Sequence, residues 1–295
     1  LCAGAYLMRD GKPCEDCIGR LIPWPAVRHG CYRDSTTASA AVAAMQVAHR
    51  LLGTWRRKVD AFFTLTEFAR SRFVVGGFPA DRVHVKNNGV APDPGVGPGD
   101  GDHIVFAGRL SPEKGVATLL RAWRESPHLP ALEIIGDGPL AAEVAAAADA
   151  DPRISWLGHV PADEVQERIG RARALVIASE WYETFGRTIA EAFAGGTPVI
   201  AAALGAMQEL VDDGRTGWHF RAGDSRDLAA KVATAATLDG AALASLRTAA
   251  RREYESRFTP QRNYERLLEI YRIACDSASR RRGAIRLAKR QALST

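Results

Sequence analysis

The chain has 295 residues, 46% hydrophobic and 25% charged, ordinary proportions for a globular protein and enough length for two domains, or for one and much of another. Its most apolar stretches, around Ala38–Ala48 and Pro198–Met207, are too short or too interrupted by Gly, Gln and Pro to span a bilayer. The net charge of +5 sits in residues 276–295, where six Arg and Lys face Asp276 alone; the rest balances at 33 basic and 33 acidic groups and offers no spread basic face for nucleic acid.

The first elements are sparse. Residues 1–88 predict a long helix from Thr36 to Lys58, a strand at Ala61–Leu65, a helix from Thr66 and a strand at Val83–Lys86, fewer elements than a Rossmann-like domain needs. Ahead of them Cys2, Cys14, Cys17 and Cys31 form a C-x11-C-x2-C-x13-C pattern. Four cysteines with one CxxC knuckle suggest a structural zinc in a cytosolic protein, and small buried hydrophobes are the plainer reading. Either way they are not catalytic. Leu1 opens without a charged or apolar leader, so a cytoplasmic location is expected.

Residues 89–102 are rich in Gly and Pro, can be neither helix nor inner strand, and read as an interdomain linker. From His103 strands and helices alternate. Strands are predicted at His103–Leu110, Leu132–Gly136, Ile154–Val160, Ala174–Ser179 and Pro198–Ala202, with helices at about Lys114–Ser126 and Leu140–Ala150 and another starting at Pro161. Continuous apolar strands between amphipathic helices argue for a parallel sheet covered on both faces over 103–257, with ligands at the carboxyl ends of its strands. Arg247–Arg257 and Gln261–Ala274 read as helices, the second with Tyr264, Leu267, Leu268 and Tyr271 as its apolar stripe. A C-terminal helix is read over 258–275, ahead of the basic tail 276–295. The cations of that tail could hold an anionic membrane surface at about 1 kcal/mol each, against the simpler reading of a solvated tail.

The most informative block is Glu183-Thr-Phe-Gly-Arg-Thr-Ile-Ala-Glu191, followed by Gly195-Gly-Thr-Pro-Val199. A helix opening at Phe185-Gly186 presents unpaired backbone N–H groups and a partial positive charge, a ready phosphate site. Glutamates before it and along it can hold hydroxyl groups on either side. Phosphate flanked by polyols describes a nucleotide sugar.

The block resembles the signature of the family 4 glycosyltransferases, retaining enzymes of GT-B fold. Phe106-Ala-Gly-Arg-Leu-Ser-Pro-Glu-Lys-Gly115 is similar to that family's diphosphate loop, and Gly136-Asp-Gly-Pro139, Leu157-Gly-His-Val160, Gly205-Ala-Met-Gln-Glu209 and Asp213-Gly-Arg-Thr-Gly217 resemble its next segments. Arg9-Asp-Gly-Lys-Pro-Cys-Glu-Asp-Cys17 and Cys31-Tyr-Arg-Asp-Ser35 resemble a bacterial polysaccharide-type branch. The resemblance implies an α/β protein of GT-B architecture, with a complete C-terminal Rossmann-like donor domain, a partial N-terminal one, and the helix at 258–275 returning to the first domain. An acceptor loop and a histidine that the family carries near the reacting sugar are not found, so the chain reads as N-terminally truncated.

The resemblance implies transfer of a hexose-type sugar, with retention, from a nucleoside diphosphate sugar to a hydroxyl acceptor such as a lipid-linked saccharide. Arg109 and Lys114 would stabilise the leaving diphosphate, with Gly108 and Gly115 letting backbone approach it, and Glu183 would face the transferred sugar. The donor would rest on Gly108, Gly136, Asp137, Gly138, Val160, the backbone of Phe185, Gly186, Arg187 and Thr188, and Glu191 at the ribose. The family uses Arg, Lys and a helix end in place of a divalent cation, so the resemblance implies no catalytic cofactor. The alternatives are a nucleotide-sugar-binding fragment without turnover and an inverting GT-B transferase.

Overall fold

The computed structural model describes residues 1–292, with side chains described through residue 281. The chain divides into two compact units, one of residues 1–6, 15–87 and 261–295, the other of residues 7–14 and 88–260. A hairpin of β1 (Met8–Arg9) and β2 (Lys12–Pro13) belongs to the second unit.

The first unit holds α1 (Trp24–Arg28), α2 (Thr36–Leu51), α3 (Thr54–Lys58), β3 (Phe62–Thr64), α4 (Glu67–Val75) and β4 (Val83–Val85), the two strands pairing in parallel. The single helix expected over 36–58 is broken at Gly53, whose φ of 62° ends the run and caps α3. Ser35 and Thr66 cap α2 and α4 through their hydroxyls, as their residue types favour. Cys17 is buried with Ala3 and Ala26, and Cys31 packs against them. Among the described residues no group of three or more His, Cys, Asp or Glu could hold a metal ion, and Cys2, Cys14, Cys17 and Cys31 form no disulfide.

The second unit is built on a six-stranded parallel sheet. In chain order it contains β5 (Ile104–Ala107), α5 (Val116–Glu125), β6 (Leu132–Ile135), α6 (Ala141–Ala150), β7 (Ile154–Gly158) and α7 (Ala162–Arg171). There follow β8 (Ala174–Ile177), α8 (Arg187–Ala194), β9 (Val199–Ala202), α9 (Ala206–Leu210), β10 (Gly217–Phe220), α10 (Ser225–Thr237) and α11 (Gly240–Arg257). The strand order is β10-β9-β8-β5-β6-β7, all neighbours parallel. Every residue of β5, β8 and β9 is buried, as strands covered on both faces must be. In this order the chain reverses direction across the sheet between β5 and β8, where a crevice opens at their carboxyl ends.

Three expectations change here. Residues 89–102 are not a free linker: they lie on the second unit, with Gly97, Gly99 and Gly101 N–H donating to Gly195, Gly170 and Arg171 carbonyls at 3.0, 3.1 and 3.0 Å. α12 (Pro260–Ala292) belongs to the first unit from Gln261 onward, where Arg266 Nε donates to Val85 O at 2.9 Å. Ile270 is buried on this helix while Tyr264 and Tyr271 are 57% and 58% exposed, so the two tyrosines are not its packing stripe. The basic segment is not a separate tail at its start, since α12 runs through it and Arg281 pairs with Asp60 at 2.8 Å. The side chains of Arg282, Arg286, Lys289 and Arg290, on which most of the membrane expectation rests, lie outside the described residues.

Charge also divides by unit. The first unit holds 20 Lys and Arg against 9 Asp and Glu, the second 19 against 25. The balance seen along the sequence is therefore a cancellation between a basic and an acidic unit. Among the described residues no helix is long and apolar enough to cross a membrane.

Candidate functional site

The site forms where two strands next to each other in the sheet deliver their following loops. β5 ends at Ala107 and leads into Gly108-Arg109; β8 ends at Ile177 and leads through Ser179 to Glu183. Lys114 Nζ donates to Glu183 Oε1 at 2.6 Å, joining the two loops. Ser179 Oγ donates to the same oxygen at 2.7 Å, and Glu183 is only 9% exposed. Lys114 also stands 5.7 Å from the Trp181 ring centroid, within cation–π range. Sixty-nine residues of sequence separate this pair. Only the sheet order brings it together.

Beside the pair, Gly186 in the left-handed region (φ 73°) starts α8, and no side chain caps that end. The first backbone N–H groups of such an end have no partner within the helix, as an anion site requires. The Phe185 side chain does not take part; it is 2% exposed and stacks edge-on to Phe258 at 5.8 Å. Glu191 lies one turn into α8 and is paired with Arg187 at 2.8 Å. Arg109 is exposed, and among the described residues no hydrogen bond or ion pair engages its guanidinium. The cations of the site thus differ in state: two are held by glutamates, one is open.

A cavity of about 1050 Å³ runs from these loops, wholly within the second unit. Gly108, Arg109, Gly136, Asp137, Val160, Arg187, Thr188 and Glu191 line it, whereas Lys114, Gly138, Glu183, Phe185 and Gly186 do not. The 90–98 segment also lines it, together with His159 and Gln166. These residues were not anticipated, because a Gly- and Pro-rich stretch carries no periodic signal and its docking partner is distant in sequence.

Three glycines are required by packing, and one of them, Gly136, also lines the cavity. A Cβ on Gly115 would stand 1.9 Å from Ala178 O, one on Gly136 1.9 Å from Gly108 O, and one on Gly138 2.4 Å from Leu110 O. They let the loops after β5, β6 and β8 close on one another. The second unit is net acidic, so an anion would be drawn in by local groups, not by the unit's overall field.

Residues 101–237 match the glycosyl transferases group 1 family. The chain is 29% identical over 209 residues to the D-inositol 3-phosphate glycosyltransferase of Nocardia farcinica, covering 66% of this chain and 43% of that protein. It is 33% identical over 191 residues to the alpha-maltose-1-phosphate synthase of Mycolicibacterium smegmatis, covering 55% and 49%. The chain thus spans about half the length of these relatives. Anabaena Alr3699/HepE, solved in complex with UDP, superposes with a TM-score of 0.68 at 22% identity, over 79% of this chain and 67% of that one. That likeness is one of fold, and the fold is the Rossmann-like α/β type of the GT-B glycosyltransferases.

Proposed function

We propose that this chain, whose residues 101–237 form a group 1 glycosyltransferase domain, binds a nucleoside diphosphate sugar in the cavity of its second unit and serves transfer of a hexose-type sugar to a hydroxyl acceptor with retention. The observation that carries the reading is the Lys114–Glu183 pair beside the uncapped start of α8, at the crevice between β5 and β8. A diphosphate at that helix end would be met by N–H groups of Arg187 and Thr188, with Arg109 and Lys114 on its other side. The acceptor oxygen bonds to the anomeric carbon as the bond from that carbon to the diphosphate breaks. The acceptor's proton leaves with the departing nucleoside diphosphate or to water.

Negative charge grows on the leaving phosphate in that step, so cations fixed beside it act more strongly on the transition state than on the bound donor. In this reading Arg109, Lys114 and the helix end do the work a divalent cation would otherwise do, and the reaction is metal-independent. Glu183 orients Lys114 and faces the sugar as its ring gains positive charge. Bacterial surface polysaccharide synthesis in the cytoplasm, on a lipid-linked saccharide acceptor, is the setting we infer. The solved neighbours with UDP and with UDP-glucose make a uridine diphosphate sugar the first donor to test.

Thermal-shift screening of the full chain against UDP, GDP and ADP tests the binding step. A ligand at about 100 times its dissociation constant adds about 2.7 kcal/mol to stability, seen as a rise of several degrees. No shift with any of the three, and no heat in calorimetry, would remove the nucleotide reading. Donor hydrolysis or transfer then separates an enzyme from a binding protein.

The two glutamates should separate by effect. Glu191→Ala should weaken nucleoside diphosphate binding about tenfold, because ribose hydrogen bonds persist in the ground state. Glu183→Gln should lower turnover while the diphosphate binds at least as tightly, since Lys114 is no longer neutralised by its partner. Equal losses of affinity in both variants would show the roles wrongly assigned.

A further inference from the structure

One face of α11 carries Arg247, Arg251 and Tyr254, spaced by four and three residues so that they point the same way. Arg247 Nη2 donates to Gly97 O at 2.7 Å and to Gly170 O and Gly195 O at 3.2 Å each. Arg251 grips Asp93 with both Nη atoms, at 2.8 and 2.7 Å, and its Nη1 also donates to Ala194 O at 2.7 Å. The Tyr254 hydroxyl donates to Val90 O at 3.3 Å. Each contact ties the 90–98 segment, or the ends of α7 and α8, to α11. Gly97 lies so close to Gly170 that a Cβ on it would stand 2.5 Å from the Gly170 Cα, so the segment is seated flush on α7.

Three of the carbonyls gripped, those of Gly170, Ala194 and Gly195, lie at the carboxyl ends of α7 and α8, where partners within the helix run out and a guanidinium is also favoured by the helix dipoles. α8 carries the proposed anion site at its other end, and the 90–98 segment lines the same cavity as Arg187 and Thr188 of that end. Asp93 is not part of that wall lining, although its neighbours Pro92 and Pro94 are. The clamp therefore acts behind the wall.

We propose that Arg247 and Arg251 are positioning residues of the nucleotide site, holding the 90–98 segment against α7 and α8 so that the wall of the cavity is in place when the nucleotide arrives. The proposal rests on the reading of this cavity as the nucleotide site. Binding and docking of the segment are then linked, and by reciprocity the nucleotide should secure the segment as much as the segment secures the nucleotide. The hydrogen bonds from Arg251 hold the Asp93 carboxyl below its ordinary range, against the opposing effect of desolvation. Its contribution to docking is therefore present above the ordinary carboxylate range and is lost as pH falls through the lowered value.

The test uses the full chain, with the tightest binder among UDP, GDP and ADP as probe. Arg251→Gln should raise its dissociation constant about tenfold, Asp93→Asn about threefold, and Arg251→Lys should recover part of the loss. Hydrogen exchange at Gly97, Gly99 and Gly101 should quicken at least tenfold in the first two variants, and slow in the unaltered chain when the probe saturates. All affinities are measured well below the melting temperature, so that a lower melting point alone cannot mimic the effect. Faster exchange with unchanged affinity would overturn the proposal, and so would unchanged exchange. If the unaltered chain binds none of the three probes, the nucleotide reading falls and takes this proposal with it, while the exchange rates still report whether the clamp holds the segment.

Discussion

Replacing Lys114 by alanine should lower turnover of the nucleotide sugar by about 10²- to 10³-fold, corresponding to about 2.7–4 kcal/mol of lost transition-state stabilisation. In the proposed mechanism the ammonium meets the charge that grows on the leaving diphosphate, and its loop is held to the next by Glu183 at 2.6 Å. The same change strands Glu183, which is 9% exposed and would keep only Ser179 as partner. An additional loss of about 1–3 kcal/mol of stability is expected from that carboxylate. The two effects come apart in the double variant Lys114→Ala/Glu183→Gln, which should regain stability without regaining turnover. Steady-state kinetics and thermal melts on the two variants measure both quantities. Full turnover in the double variant would place Lys114 in the fold and outside the chemistry.

Gly136→Ala should destabilise the second unit by about 2–5 kcal/mol, lowering its melting temperature by roughly 5–15 °C. Two causes add. The backbone at Gly136 has φ 134°, a region that side chains disfavour by about 1–2 kcal/mol. A Cβ there would also stand 1.9 Å from Gly108 O, so the loops after β5 and β6 would have to part, at about 1–3 kcal/mol. Gly158 is the control: its φ is 68°, yet a Cβ on it would meet nothing within 4 Å. Gly158→Ala should lose only the conformational part. Equal melting temperatures for the two variants would show that the close approach contributes nothing.

Much of the second unit was legible in the sequence because its strands are apolar throughout and its helices amphipathic, so local pattern and final burial agree. Strands expected at His103–Leu110, Leu132–Gly136 and Ala174–Ser179 appear as Ile104–Ala107, Leu132–Ile135 and Ala174–Ile177, each shorter at its carboxyl end, where the chain turns into the site. β10 and α10 were missed. Gly217–Phe220 offers one apolar and two polar or aromatic residues after a glycine, and its burial comes from pairing with β9 and is not a pattern of its own. The helix at Thr36–Lys58 was overextended because Gly53 weakens a helical pattern without ending it until its φ is known.

By itself the sequence determined the strand–helix alternation, the loop glycines and the residue types of an anion site, since these follow from backbone sterics and from which side chains can be buried. Tertiary structure alone decided which of those residues meet. Lys114 and Glu183 become partners because β5 and β8 are neighbours in the sheet, an order set by crossover packing and unseen in either segment. The Gly- and Pro-rich stretch became a cavity wall because α11, 150 residues further on, places Arg247 against Gly97. The zero balance of charge along the body of the chain became a basic unit and an acidic one for the same reason. Contacts at such separations depend on how whole elements stack, and no local propensity encodes that.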